Sequence, residues 1–130
     1  MRDLIHRRAM ASILVIDDEP EIRTLLRAVL ESAGHTVTEA TNGREGVALY
    51  RQQPADLVIT DIQMPELNGL DLILELTREF LNVKVIAISG AQGEDASVLN
   101  VAKLLGARQT LQKPLSLETF RAAVEYELVH

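Results

Sequence analysis

The sequence predicts a doubly wound α/β domain in which five parallel strands alternate with five helices. Two observations carry this expectation. Short β-branched, apolar runs such as SILVI (12–16), DLVIT (56–60) and VKVIAIS (83–89) recur along the chain, each too brief for a buried helix. Between them, apolar residues return every three or four positions, the spacing of a helix with one face turned inward. Strands joined by helical crossovers run parallel. A parallel sheet is covered on both faces, so its strands read as uniformly apolar rather than alternating.

In chain order, SILVI is the first strand and ends at Asp17-Asp18. Pro20 suits a first helical turn. Ile22, Leu25, Leu26, Val29, Leu30 and Ala33 then follow at helical spacing until Gly34 stops the helix. TVTEA (36–40) is the second strand, and Asn42 with Glu45 resembles a capping box that opens a helix over 43–53. DLVIT is the third and most uniformly apolar strand. The stretch from Gly69 to Phe80 is a helix with Leu70, Ile73, Leu76 and Phe80 inward. VKVIAIS is the fourth strand. The loop GAQGED (90–95) leads into a helix with Val98, Val101, Ala102 and Leu105 on one face. RQTLQ (108–112) is a short fifth strand, ended by Lys113-Pro114. Ser116 caps a last helix carrying Leu117, Phe120, Val124 and Leu128. Residues 1–11, with Arg2, Arg7 and Arg8 and no sustained period, read as a flexible basic tail. Residues 12–130 read as one domain, with no length left for a second.

Composition narrows the function classes. At 130 residues the chain can bury one sizeable core, and its 47% hydrophobic content is ordinary for a globular protein. Aromatics are only 3%, so Leu, Ile, Val and Ala build that core. The absence of cysteine excludes disulfides, thiolate metal sites and thiol nucleophiles together. A net charge of -6 argues against partnership with nucleic acid or anionic membranes, which requires concentrated Lys and Arg. No apolar stretch reaches membrane-spanning length, and the start MRDLIHRRAM is too polar for a secretory signal. A cytoplasmic protein is expected.

The polar residues are placed unusually. Asp17 and Asp18 end the first strand, Asp61 the third, Ser89 the fourth and Lys113 the fifth. Ligands of open parallel sheets bind beyond the carboxyl ends of the strands, so these five residues converge on one edge. Carboxylates brought within several ångströms repel by on the order of a few kcal/mol per pair at an effective dielectric near 20. They either share protons or are neutralised by cations. Lys113 supplies one positive charge, and a hard divalent ion such as Mg²⁺ is the natural second. A cation, an ammonium, a hydroxyl and a spare carboxylate suit phosphoryl transfer, with Asp61 as nucleophile. Ser89 and Lys113 are placed to contact the phosphoryl oxygens.

Asp17-Asp18, D-x-x-M-P-x-x-x-G (61–69), Ser89 and Lys113-Pro114 resemble, in order and spacing, the receiver domains of two-component response regulators. The resemblance extends over residues 12 to 129. It implies a flavodoxin-like strand order, 2-1-3-4-5, and a phosphoacceptor rather than an enzyme. Asp61 would take a phosphoryl group from a sensor histidine kinase or a histidine phosphotransfer protein and lose it by slow autodephosphorylation. Mg²⁺ would be ligated by Asp18, Asp61 and the main-chain carbonyl of Gln63, with Asp17 acting mainly through water. The loop with Pro65 and Gly69 would fold over the site, and Gln63 and Ala91 would tune dephosphorylation. With no output domain, such a protein works by contact, regulating a partner, relaying phosphoryl groups or serving as a phosphate sink.

Each residue also has a simpler reading. Asp17-Asp18 alone would cap a helix, Ser89 would be a loop hydroxyl and Lys113 a solvated lysine; the constellation decides otherwise. His6, His35 and His130 are scattered, and no ligand role is expected of them. A nucleotide carrier of the same topology would need a Gly/Ser/Thr-rich phosphate loop where this chain has DDEP. An aspartate-nucleophile phosphatase would show a second acid at the position held by Gln63. A degenerate receiver serving as a scaffold is the remaining alternative, and the retained acids argue against it.

The switch is expected to follow from added charge at Asp61, drawing the hydroxyl and ammonium inward and biasing a loop that Gly90 and Gly93 leave free to move. One departure from the family stands out. Thr110 occupies the position, three before the lysine, where an aromatic usually follows that motion. The response is therefore muted or reported by another group. With Leu117, Phe120, Val124 and Leu128 inward, Ala122 and Tyr126 face outward. That face and the helix over 96–105 are the expected contact, in the 96–126 region, for a downstream partner or a second copy.

Overall fold

The computed structural model describes residues 11–64, 66–90 and 96–130. The basic tail up to residue 10, Pro65, and Ala91 and Gly93 lie outside the described residues. Ala11, assigned to the tail by the sequence, is buried, and its carbonyl accepts from the Thr36 N–H at 2.9 Å.

The elements in order are β1 (Ser12–Ile16), α1 (Pro20–Ser32), β2 (Thr36–Ala40), α2 (Gly43–Gln52), β3 (Leu57–Asp61), α3 (Gly69–Glu79), β4 (Val85–Ser89), α4 (Ala96–Leu105), β5 (Gln109–Gln112) and α5 (Leu117–Val129). All strand pairs are parallel, in the order β2-β1-β3-β4-β5, as expected. Every residue of β3 and β4 is buried, whereas the edge strand β2 alternates. Two cores follow from the alternation of side chains along each strand. Leu14, Ile16 and Val58 pack with Val47, Leu72, Ile73, Leu76 and Ala102 of α2, α3 and α4. Ile13, Val15, Ile59, Ile86 and Ile88 pack on the other face with Leu26 and Leu30 of α1 and Phe120 and Val124 of α5.

Local signals set the helix ends. Gly34, with φ 95°, closes α1: its N–H donates to Glu31 O at 2.9 Å and the next N–H, of His35, to Leu30 O at 3.1 Å. This is a Schellman stop that needs a left-handed residue, and it buries the His35 that follows. The Asn42 side chain accepts from the Glu45 N–H at 2.8 Å, but the Glu45 carboxylate reaches past the cap to the Thr41 N–H. Asn68 and Ser116 cap α3 and α5 in the same way.

The inward faces are narrower than the sequence suggests. Leu25 is 42% exposed, Val101 40% and Leu117 40%, and Ala33 is exposed as well. Each lies about 100° around the helix from the residue that carries the contact, or at a helix end. Leu72 of α3 and Leu99 of α4 pack against the core instead. Strand β3 runs one residue further than the sequence suggests, so Asp61 belongs to the strand.

One buried acid on α5 is not suggested by the apolar pattern. Glu127 is 3% exposed and accepts from Arg108 Nε at 3.1 Å and from Gln109 Nε2 at 2.8 Å, which ties α5 to β5. Glu127→Ala should remove both bonds and lower stability by about 2 kcal/mol, read as a drop in the urea midpoint.

Candidate functional site

The carboxyl edge of the sheet assembles the site. Asp17 directly follows β1 and is 1% exposed. Its N–H donates to Ala40 O at 3.1 Å, which locks it to the neighbouring strand, and its Oδ1 accepts from the Glu19 N–H at 2.8 Å. Asp61 closes β3 and is 5% exposed. Its Oδ1 lies 3.4 Å from the donating Gln63 N–H, and the buried Thr60 hydroxyl donates to its carbonyl at 2.9 Å. Gly69 lets the loop after β3 return tightly, with its N–H on Ile62 O at 2.8 Å.

Lys113 reaches into this acid group. Its Nζ lies 3.1 Å from Glu19 Oε1, 3.6 Å from Asp17 Oδ2 and 3.6 Å from Asp61 Oδ2. Its N–H donates to Ser89 O at 2.8 Å, and this ladder bond between β4 and β5 sets the start of the lysine side chain. Ser89 itself is fully buried. Above the group opens a pocket of about 610 Å³, lined by Asp18, Glu19, Asp61, Gln63, Gly90, Lys113 and Pro114. The sequence-predicted residues therefore meet on one edge, with Asp18 and Gln63 exposed at the mouth and Asp17 and Ser89 buried.

Glu19 is not among the acids the sequence singles out. Asp17, Glu19 and Asp61 each offer an oxygen within 4.8 Å of the other two. The signal lay in the run DDE itself: the third acid begins the turn into α1, whose first residue, Pro20, leaves the Glu19 side chain over the pocket.

Burial and crowding set the electrostatics. Desolvation raises the Asp61 carboxyl from 3.8 to about 6, helped by the charge of Asp17 and opposed by Lys113 and the Gln63 and Ile62 N–H groups. Asp17 is also raised, again chiefly by burial. Burial pushes Lys113 down, but Asp61, Asp17 and Glu19 outweigh it and hold the ammonium above its usual range. Three carboxylates with one ammonium leave an uncompensated negative charge. Hard oxygen donors in a solvent-open pocket fit a divalent cation such as Mg²⁺, which binds through few carboxylates and retains waters.

A doubly wound parallel sheet with an acid triad and a lysine at its carboxyl edge defines a phosphoacceptor signalling domain. Comparison with known proteins agrees. Residues 13–125 match the response regulator receiver domain. The chain is 41% identical over 103 residues to the chemotaxis protein CheY of Thermotoga maritima, covering 78% of this chain and 84% of that one. It is 43% identical over 112 residues to Protein PilH of Pseudomonas aeruginosa, covering 85% and 91% respectively. The solved structure of the response regulator TrrA from Thermotoga maritima, in complex with Mg²⁺-BeF, matches with a TM-score of 0.81 at 31% identity over 91% of this chain and 99% of that one. The chain belongs to the response regulator receiver domain family. Among the described residues, no helix is long and apolar enough to cross a membrane.

Proposed function

We propose that this protein receives a phosphoryl group on Asp61 from a phosphohistidine and signals the change through protein contacts. An Asp61 carboxylate oxygen forms the new bond to phosphorus, the bond from phosphorus to the histidine nitrogen breaks, and the imidazole of the donor keeps the electron pair and takes up a proton. Lys113, already 3.6 Å from Asp61 Oδ2, pairs with the added negative charge. Ser89 ends the adjacent strand and brings its hydroxyl to the phosphoryl group. Asp61, Asp17, Glu19 and Asp18, with the Gln63 carbonyl, are the oxygen donors available to Mg²⁺, which supplies charge neutralisation when bound. The observation that carries this reading is the buried Asp61 carboxylate held beside an ammonium at the floor of an open pocket. The donor is a sensor histidine kinase or a histidine phosphotransfer protein, and the protein works as a phosphoacceptor in the cytoplasm.

The test is intact-mass spectrometry after incubation with acetyl phosphate, with and without Mg²⁺, on the protein and on Asp61→Asn. Addition of one phosphoryl group that requires both Mg²⁺ and Asp61 is expected. No addition under any condition would leave the pocket as a scaffold.

The output side carries its own prediction. Tyr126 is 54% exposed and stacks on His130 with ring centroids 4.0 Å apart, and α4 exposes Leu104 at 86%. Thr110 on β5 is half-buried, so the outward aromatic is on α5 and not at the usual strand position. Tyr126→Glu should weaken binding to the downstream partner, or self-association of the phosphorylated protein, while leaving phosphorylation intact. Analytical ultracentrifugation and pull-down measure this, and unchanged association removes the docking role.

A further inference from the structure

Arg23 belongs to none of the acid, lysine or hydroxyl groups described above, yet it touches the site through the backbone. It lies one turn into α1, and its side chain is only 14% exposed. Its Nη1 donates to the carbonyl oxygen of Asp17 at 2.6 Å, and its Nε pairs with Glu39 Oε1 on the edge strand β2 at 3.0 Å. Glu39 is itself held by Arg27, whose Nε lies 2.7 Å from Oε2. The Asp17 carbonyl shares a rigid peptide plane with the Asp18 N–H, so the bond from Arg23 fixes the plane from which both acids depart.

Asp17 is held at its other polar atoms as well: its N–H is on Ala40 O, its Oδ1 on the Glu19 N–H, and its Oδ2 lies 3.6 Å from Lys113 Nζ. Arg23 supplies the remaining constraint, and it draws it from β2, the strand farthest from Lys113. A planar guanidinium can span both acceptors at once; a lysine ammonium is a point charge that serves one of them well.

We infer that Arg23 is a positioning residue: by clamping the Asp17–Asp18 peptide to Glu39, it holds the acids of the pocket in the geometry that binds Mg²⁺. This rests on the cation site of the proposed function but does not depend on phosphoryl transfer. Groups that orient metal ligands from behind change metal affinity by about 10–100-fold when removed. The sign separates this role from simple charge. Arg23→Gln makes the protein more negative near an acidic pocket, which by Coulomb attraction alone tightens a divalent cation. Loss of a clamp weakens it.

The experiment is isothermal titration of the full chain with MgCl₂ at pH 7.5, comparing wild type, Arg23→Gln, Arg23→Lys and the control Arg78→Gln, an exposed arginine of α3 with the same charge change. The expected result is a Mg²⁺ dissociation constant raised about tenfold in Arg23→Gln and raised by less in Arg23→Lys, with Arg78→Gln unchanged. Affinity equal to wild type, or tighter, in Arg23→Gln overturns the inference, and so does wild-type affinity in Arg23→Lys, because a guanidinium spanning both acceptors would then not be needed. If Arg23→Gln does not fold, as judged by circular dichroism, Arg23→Lys alone decides. Weakened Mg²⁺ binding in the Arg23 variants of a protein that acetyl phosphate does not modify would keep the clamp and remove the phosphoacceptor role. Absence of Mg²⁺ binding in wild type overturns the clamp.

Discussion

Asp61→Asn is expected to abolish phosphoryl addition and, at the same time, to make the metal-free protein more stable at pH 7. The second effect follows from linkage. A carboxyl whose folded pKa is raised from 3.8 to about 6 contributes full stability below about 3.8 and loses it as pH rises through about 6. At pH 7 the folded state therefore carries an ionised, crowded Asp61 at a cost. The shift alone corresponds to about 3 kcal/mol, and contact with the open pocket reduces the expected gain to about 2 kcal/mol. Asparagine keeps the shape and removes the charge. The urea midpoint of the variant in EDTA should exceed that of wild type at pH 7.5, and the two should converge below pH 4. Added Mg²⁺ should raise wild type much more than the variant, because a ligand that binds only the folded state stabilises it by mass action. Equal midpoints at pH 7.5 would show that Asp61 is not strained by its surroundings. A functional acid that costs stability is the usual form of the trade between activity and stability.

Gly69→Val is expected to disable the site by a different route. A Cβ at this position would meet the Asp61 carbonyl oxygen and the Ile62 Cα, both backbone atoms at the tip of a buried central strand. Neither can rotate away as a flexible side chain would. The N–H of Gly69 also donates to Ile62 O at 2.8 Å, so the new side chain either breaks that bond or moves the end of β3. The expected loss is about 3 kcal/mol of stability, with phosphoryl addition from acetyl phosphate falling sharply because Asp61 moves with the backbone. A urea titration paired with intact mass measures both. A variant with the wild-type midpoint and full modification would show that the loop has slack the structure does not display.

Much of this was legible from the chain. The parallel alternation of strands and helices follows from the crossover rule, the order 2-1-3-4-5 follows from the resemblance to receiver domains, and the convergence of Asp17, Asp61 and Lys113 follows from where parallel strands end. The resemblance to receiver domains supplied the roles. What was not legible shares one cause: it depends on side chains meeting across elements. Glu19 looked like one acid of a turn, and its value lies in standing 3.1 Å from Lys113, 94 positions later. Arg23 belongs to no motif of the sequence, and its bond to the Asp17 carbonyl closes over the end of β1. Glu127 breaks the apolar pattern of α5 and is buried because Arg108 and Gln109 lie opposite.

Sequence by itself determined the class of fold, the order of the elements, the helix caps at Asn42 and Ser116, and the convergence of Asp17, Asp61 and Lys113 on the sheet edge, because these depend on local periodicity and on chain connectivity. Tertiary structure alone decided which leucines and valines face inward, how far the pocket desolvates Asp61, and which third carboxylate joins it. Burial and charge coupling act through space, between residues whose separation along the chain carries no information about their distance.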